Sequence, residues 1–261
     1  MSVPRDQHFL INPRIVERIL SCIEVRDRKV LEIGPGTGVL TRALLEAGAK
    51  VIAVELDYGL CEDLRARFHQ EIVDGHLVII EGDAARVDLP PFDCVVANLP
   101  YSLSSKITFR LLELGFEEAV LMYQKEFAQR MLARPGTPAC GRLSVMAQTY
   151  ADIEPCFEIS PRAFSPMPKV RSMVLRIVPH APRFEIRDPA FYTEVVRVLF
   201  SHRRKTVRNG LRSLGGALDQ ERLERMISRI PEDILSARPE ELQLEDFALI
   251  ANTGSTENVA W

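Results

Sequence analysis

The sequence predicts an α/β protein, a doubly wound and mostly parallel sheet, followed by a smaller all-helical part. Three observations carry this expectation. Short apolar runs at 30–33, 51–54, 77–80, 94–97 and 119–122 alternate with stretches whose apolar residues recur at helical spacing. Gly34, Gly36 and Gly38 follow the first run at once and Glu55 closes the second, which reads as strand, glycine turn, helix and strand. Beyond Pro179 and Pro182 the periodicity is helical throughout. With 261 residues the chain has room for an α/β domain over 1–180 and a small helical domain over 181–261.

Taken in order, Asn12-Pro13 starts the first helix. The asparagine caps it, the proline takes the first turn, and Ile15, Val16, Ile19, Leu20 and Ile23 form its buried stripe. Leu40, Leu44 and Leu45 share one face of the helix after the glycines, and Asp57 can cap a helix over Leu60, Leu64 and Phe68. The third run ends at Glu81, Gly82 and Asp83, the fourth at Asn98, Leu99, Pro100 and Tyr101. Helices are expected over 104–114, 125–133 and 143–150, and 134–141, with two prolines and two glycines, is a loop. Strands over 153–159 and 172–178 are joined by the proline-rich segment 160–169. Val195, Val196, Leu199 and Phe200, then Leu211 and Leu214, then Leu218, Leu223, Met226 and Ile227 mark short helices.

In an open parallel sheet, ligands sit beyond the carboxyl ends of the strands. Glycines there let the backbone approach a ligand without a Cβ in the way, and the following helix presents unpaired N–H groups. Glu55 is placed to accept hydrogen bonds from two ribose hydroxyls, so the unit reads as a nucleoside pocket. A dinucleotide site wants G-x-G-x-x-G, its last glycine allowing close packing over a pyrophosphate. Here Gly38 comes one place early, Val39 holds the dinucleotide position, and Glu32 puts a carboxylate near where a pyrophosphate would lie. S-adenosyl-L-methionine suits these residues better: it has no phosphate, and its α-amino group is attracted by a carboxylate.

Composition narrows the class. No run approaches the ~18–20 apolar residues that span a bilayer, and no basic segment followed by an apolar run suggests a secretory signal. Cys22, Cys61, Cys94, Cys140 and Cys156, like the five histidines, are dispersed, which suits neither a disulfide framework nor a metal cage. A cytoplasmic protein with inert thiols is expected. The net charge of −3 argues against a uniformly basic nucleic-acid binder. Its distribution argues for a focused anion-binding face, because Arg197, Arg203, Arg204, Lys205, Arg208 and Arg212 occur with no acid among them. The same holds for Arg162, Lys169, Arg171 and Arg176.

Asn98-Leu99-Pro100-Tyr101 follows a strand at the same sheet edge as the glycine turn. An exocyclic amine of adenine is a poor nucleophile because its lone pair is delocalised into the ring. The Asn98 side-chain carbonyl and the Leu99 backbone carbonyl could accept both amine hydrogens, with Pro100 stiffening the turn. Tyr101 offers a face for an unstacked base, and Phe164, apolar in a proline-rich basic loop, could cover the other face. Asp83 could accept from a cofactor adenine amino group, or simply cap a turn; Gln7 and His8 could border the methionyl end.

The segments Gln7 to Leu10 (QHFL), Glu32 to Gly38 (EIGPGTG), Glu55-Leu56-Asp57, Gly82-Asp83-Ala84 and Asn98 to Tyr101 (NLPY) resemble the small-subunit ribosomal RNA adenine dimethyltransferases. So do Phe164 to Val170 (FSPMPKV) and Leu199 to Lys205 (LFSHRRK), while Ala119 to Ala128 (AVLMYQKEFA) is similar to archaeal members. The resemblance spans nearly the whole chain. It implies a class I, Rossmann-like methyltransferase fold with a seven-stranded sheet and a small helical RNA-binding domain. The implied donor is S-adenosyl-L-methionine, leaving as S-adenosyl-L-homocysteine. The implied targets are two adjacent adenosines near the 3′ end of small-subunit ribosomal RNA, each dimethylated on N6. A pre-ribosomal particle is the expected substrate, because the hairpin's base must be accessible, and a monomer is expected because nothing suggests a dimer stripe. By this resemblance Gln7, His8, Leu10, Gly34, Gly36, Glu55, Leu56, Asp83, Ala84 and Asn98 face the cofactor. Asn98, Leu99, Pro100, Tyr101 and Phe164 face the target adenine, and Lys169, Arg203, Arg204, Lys205 and Arg208 hold RNA. His8 departs from the asparagine common in bacterial members.

Other function classes share parts of this pattern. Large-subunit RNA dimethylases share the motifs through Tyr101. A DNA adenine methylase lacks support from any sequence-reading domain, a non-catalytic assembly factor could coexist with catalysis, and a nicotinamide oxidoreductase is disfavoured by Val39.

Overall fold

Residues 8–214 and 219–255 are described by a computed structural model of the chain, in which each predicted apolar run is a strand. In order the strands are β1 (Phe9–Leu10), β2 (Lys29–Ile33), β3 (Lys50–Glu55), β4 (Leu77–Glu81), β5 (Cys94–Asn98), β6 (Glu118–Gln124), β7 (Ala151–Ile159), β8 (Phe164–Ser165) and β9 (Ser172–Pro179). Seven of them form one sheet in the order β4-β3-β2-β5-β6-β9-β7. Strands β4 through β6 run parallel, and β9 is antiparallel to both β6 and β7. The order reverses between β2 and β5, so the crevice where an open sheet binds ligands opens beside the glycine turn and Asn98. The central strands are apolar on both faces because helices cover both: Val30, Leu31, Val51, Ala53, Val95 and Val96 are buried.

Local chemistry explains the helices. Pro13–Leu20 begins with Asn12 accepting from the Arg14 N–H at 3.1 Å. Tyr58–Arg67 begins with Asp57 accepting from the Leu60 N–H at 3.0 Å. Val39–Glu46 and Ser104–Leu114 occupy the expected positions, and Lys125–Met131 ends two residues before its expected limit. Two features had no local signature: the short helix His69–Val73, and the antiparallel pairing of β1 with β8, Leu10 opposite Phe164. A two-residue strand has no period to read; its partner alone makes it a strand.

The chain separates into two compact units. One runs through Gln129 and resumes over Ala151–Pro179; it holds the whole sheet. The other comprises Arg130–Tyr150 and the residues from His180 onward. The first unit ends at Pro179, and the helix Arg142–Tyr150, expected within the first domain, groups with the C-terminal helices. The reason lies in its residues. Leu143, Ser144, Val145, Met146, Ala147 and Thr149 are all buried, and the Thr149 hydroxyl lies 2.8 Å from the Tyr192 hydroxyl of helix Pro189–Ser201. Helices Val207–Leu211, Gln220–Ser228, Glu232–Ser236 and Leu244–Gly254 complete this unit, with Phe200 stacked on Phe247 at 5.7 Å. Leu218 lies outside the described residues. Cys61, Cys94 and Cys140 are buried, and burial pushes the Cys94 thiol up to about 11, which suits inert thiols. Among the described residues no helix is long and apolar enough to cross a membrane.

Candidate active site

The glycine turn is held by its neighbours on both sides. The Gly34 N–H donates to the Val54 carbonyl at 2.9 Å, which ties the turn to β3. The Gly36 N–H donates to Glu55 Oε2 at 3.1 Å, and the N–H groups of Leu56 and Asp57 donate to Oε1 at 2.9 and 3.0 Å. Glu55 is therefore a carboxylate fixed by three backbone donors, pointed across the strand ends at the glycines. Gly36 has φ +54°, and a Cβ there would stand 2.6 Å from Phe9 Cδ1. The aromatic ring of the N-terminal leader closes directly over this glycine, so any Cβ there would displace it.

Beneath the turn lies Glu32, 1% exposed, with the Thr41 hydroxyl donating to Oε2 at 2.6 Å. Burial raises its carboxyl to about 8 against the opposing hydrogen bond from Thr41, and the Glu55 charge adds to the rise. One cavity is lined by Glu32, Gly34, Gly36, Glu55, Asn98, Leu99, Pro100 and Tyr101, with His8, Phe9 and Leu10 from the leader.

The turn after β5 supplies the other wall. Asn98 Nδ2 donates to the His8 carbonyl at 3.0 Å, so Oδ1 of the same carboxamide is kept as an acceptor. The Tyr101 hydroxyl is 2.9 Å from the Ser172 hydroxyl, and burial raises the phenol above its ordinary value. The His8 ring sits 5.7 Å from the Tyr101 ring, tilted by 38°, and its Nδ1 is 2.8 Å from the Pro166 carbonyl.

The structure thus gathers His8, Leu10, Gly34, Gly36, Glu55, Asn98, Leu99, Pro100 and Tyr101. Gln7 lies outside the described residues. Leu56 is exposed at the exit of β3. Asp83 follows β4 and caps the Ala85 N–H at 2.9 Å while pairing with Arg86 at 3.4 Å; the Ala84 carbonyl accepts from Arg110 at 2.6 Å. Phe164 does not line the cavity: it is 3% exposed in the core, where β8 pairs with β1. Lys169, Arg204 and Lys205 are exposed. Arg203 donates to the Pro138 carbonyl and lies 3.5 Å from Glu240, and Arg208 pairs with Glu232. Phe9, Thr41 and Ser172 were not singled out from the sequence. Phe9, an apolar residue inside a polar leader, carried a faint signal; the other two carried none.

The chain matches the family model described as "Ribosomal RNA adenine dimethylase" over residues 5–252. A curated archaeal relative from Methanospirillum hungatei, "Probable ribosomal RNA small subunit methyltransferase A", is 57% identical over 97% of this chain and 98% of its own length. Among solved structures, a dimethyladenosine transferase from Plasmodium falciparum is 28% identical with TM-score 0.76, covering 93% of this chain and 96% of that one. The 23S rRNA methyltransferase ErmE is 26% identical with TM-score 0.69, covering 94% and 98%. On this match, with the sheet order and the strand-end cavity that go with it, the chain belongs to the ribosomal RNA adenine dimethylase family.

Proposed function

We infer that the protein transfers methyl groups from S-adenosyl-L-methionine to N6 of two adjacent adenosines in the 3′-terminal hairpin of small-subunit ribosomal RNA. The product is N6,N6-dimethyladenosine, formed during small-subunit assembly in the cytoplasm by a monomer acting on a pre-ribosomal particle. One observation carries the chemistry: Asn98, with Oδ1 available, shares a cavity at the sheet's switch point with Glu55 and Gly36.

The lining fits this donor. Two carboxyl groups, Glu32 and Glu55, border the cavity: Glu55 suits a ribose, and an ammonium beside Glu32 would favour its ionised form. When bound, the donor supplies an electrophilic methyl group on a sulfonium. Glu55 would hold its ribose and Glu32 would face its ammonium. Asn98 and Leu99 would accept the amine hydrogens of the target base, localising its lone pair, and Tyr101 would give the base a face to rest on. No side chain is required as a base, so alignment supplies most of the acceleration.

Small-subunit RNA is favoured by the name of the 57% identical relative. The likeness to ErmE makes large-subunit RNA the second reading. Incubating the protein with labelled donor and undermethylated small or large subunits separates them. Label in two adjacent adenosines near the 3′ end of small-subunit RNA is expected. Label confined to large-subunit RNA would overturn the substrate, and label in neither would overturn methyl transfer to ribosomal RNA.

A further inference from the structure

We propose that Ser172 is a positioning residue for methyl transfer, acting through the phenol of Tyr101. This deepens the reading above and rests on it. Tyr101 opens a single 3-10 turn, Tyr101–Leu103, directly after Pro100. Such a turn has poor hydrogen-bond geometry of its own and does little to hold a large ring in place. What holds the tip of the ring is Ser172, whose hydroxyl is 2.9 Å from the phenol oxygen.

Ser172 is well suited to be an anchor. It is the first residue of β9, fully buried, and paired in register on both sides, with Gln124 of β6 and Ile159 of β7. Its backbone therefore cannot shift without moving three strands. It also lies just past the loop that carries Lys169, so its hydroxyl ties the turn after β5 to the end of that loop across 71 residues of sequence. Tyr101 also meets the His8 ring, itself tied to Pro166 of the same loop. Ser172 does not border the cavity. Its effect on a base in the site must pass through the plane of the Tyr101 ring. A ring clamped at its hydroxyl presents one face at one angle, which is what an amine aligned with a methyl group requires.

The test compares Ser172→Ala, Tyr101→Phe and the double variant, each checked by thermal melting and by calorimetric titration with donor. Tyr101→Phe removes the same hydrogen bond and leaves Ser172 in place, so a folding failure of Ser172→Ala does not protect the proposal. Expected are a fall in kcat of about tenfold or more in either single variant, donor Kd near wild type, and a double variant no slower than the slower single. Full kcat in either single variant, or equal further loss when Ser172→Ala is added to Tyr101→Phe, would overturn it. A readout independent of activity uses carbon-13-labelled tyrosine. The Tyr101 ring signal should shift in Ser172→Ala and its titration should move still higher, since the Ser172 hydrogen bond acts against the burial-driven rise. An unchanged signal would sink the proposal even in a protein that methylates, whereas an inactive wild-type protein with the shifted signal would count against the reading above and not against the clamp.

Discussion

The Asn98 carboxamide is oriented by a backbone carbonyl 90 residues away: Nδ2 donates to the carbonyl of His8 at 3.0 Å. The N-terminal leader thereby selects which end of the carboxamide is left as an acceptor.

Asn98→Ala should lose methyl transfer by about 100-fold or more, the scale of a lost polar contact that matters in the transition state. RNA binding should persist, since the exposed cations are untouched. Asn98→Asp, which keeps an acceptor but cannot donate to His8, should also be impaired. Single-turnover methylation beside a filter-binding assay distinguishes loss of chemistry from loss of substrate.

Glu32 makes stability depend on pH in an unusual direction. Its folded carboxyl titrates near 8, above the ordinary 4.5. Its contribution is therefore present below the ordinary value and lost as pH rises through 8, by up to about 1.4 kcal/mol per pH unit. Glu32→Gln should remove that slope, so the variant's Tm should gain on wild type from pH 5 to pH 9. Donor binding at pH 7 should release a proton from wild type but not from the variant, measured by calorimetry in buffers of different ionisation heat.

Gly36→Ala should destabilise the fold by about 1–3 kcal/mol and weaken donor binding, because the new Cβ collides with the Phe9 ring on a backbone at positive φ. Adding Phe9→Ala should recover part of the stability but not the affinity. Denaturant melts and donor titration of the single and double variants check this.

The basic segment should divide in two. Arg204→Ala and Lys205→Ala should leave Tm unchanged and each lower the salt slope of RNA binding by about 1. Arg203→Ala should lower Tm, since it strips Glu240 and the Pro138 carbonyl of a cation. Melting curves and salt titrations of RNA affinity provide both readouts.

Much of the candidate site was legible in the sequence. Glu55 and Asn98 ended apolar runs, and residues at strand ends of a parallel sheet share one edge whatever the details of packing. Phe164 shows where that legibility stopped. An aromatic residue in a proline-rich basic segment reads equally well as a base platform or as core, and its pairing with Leu10 through β1 and β8 put it in the core. Arg203 and Arg208 read as free cations for the same reason, since Glu240 and Glu232 are distant in sequence.

The parallel strands and the capped helices between them, the glycine turn and the acids at the strand tips were determined by the sequence alone, because period, caps and glycine positions act over a few residues. Tertiary structure decided that Phe9 closes over Gly36, that His8 orients Asn98 and that Ser172 holds Tyr101. Each of these pairs a residue with one far along the chain, and no local pattern encodes which distant backbone or hydroxyl arrives beside it.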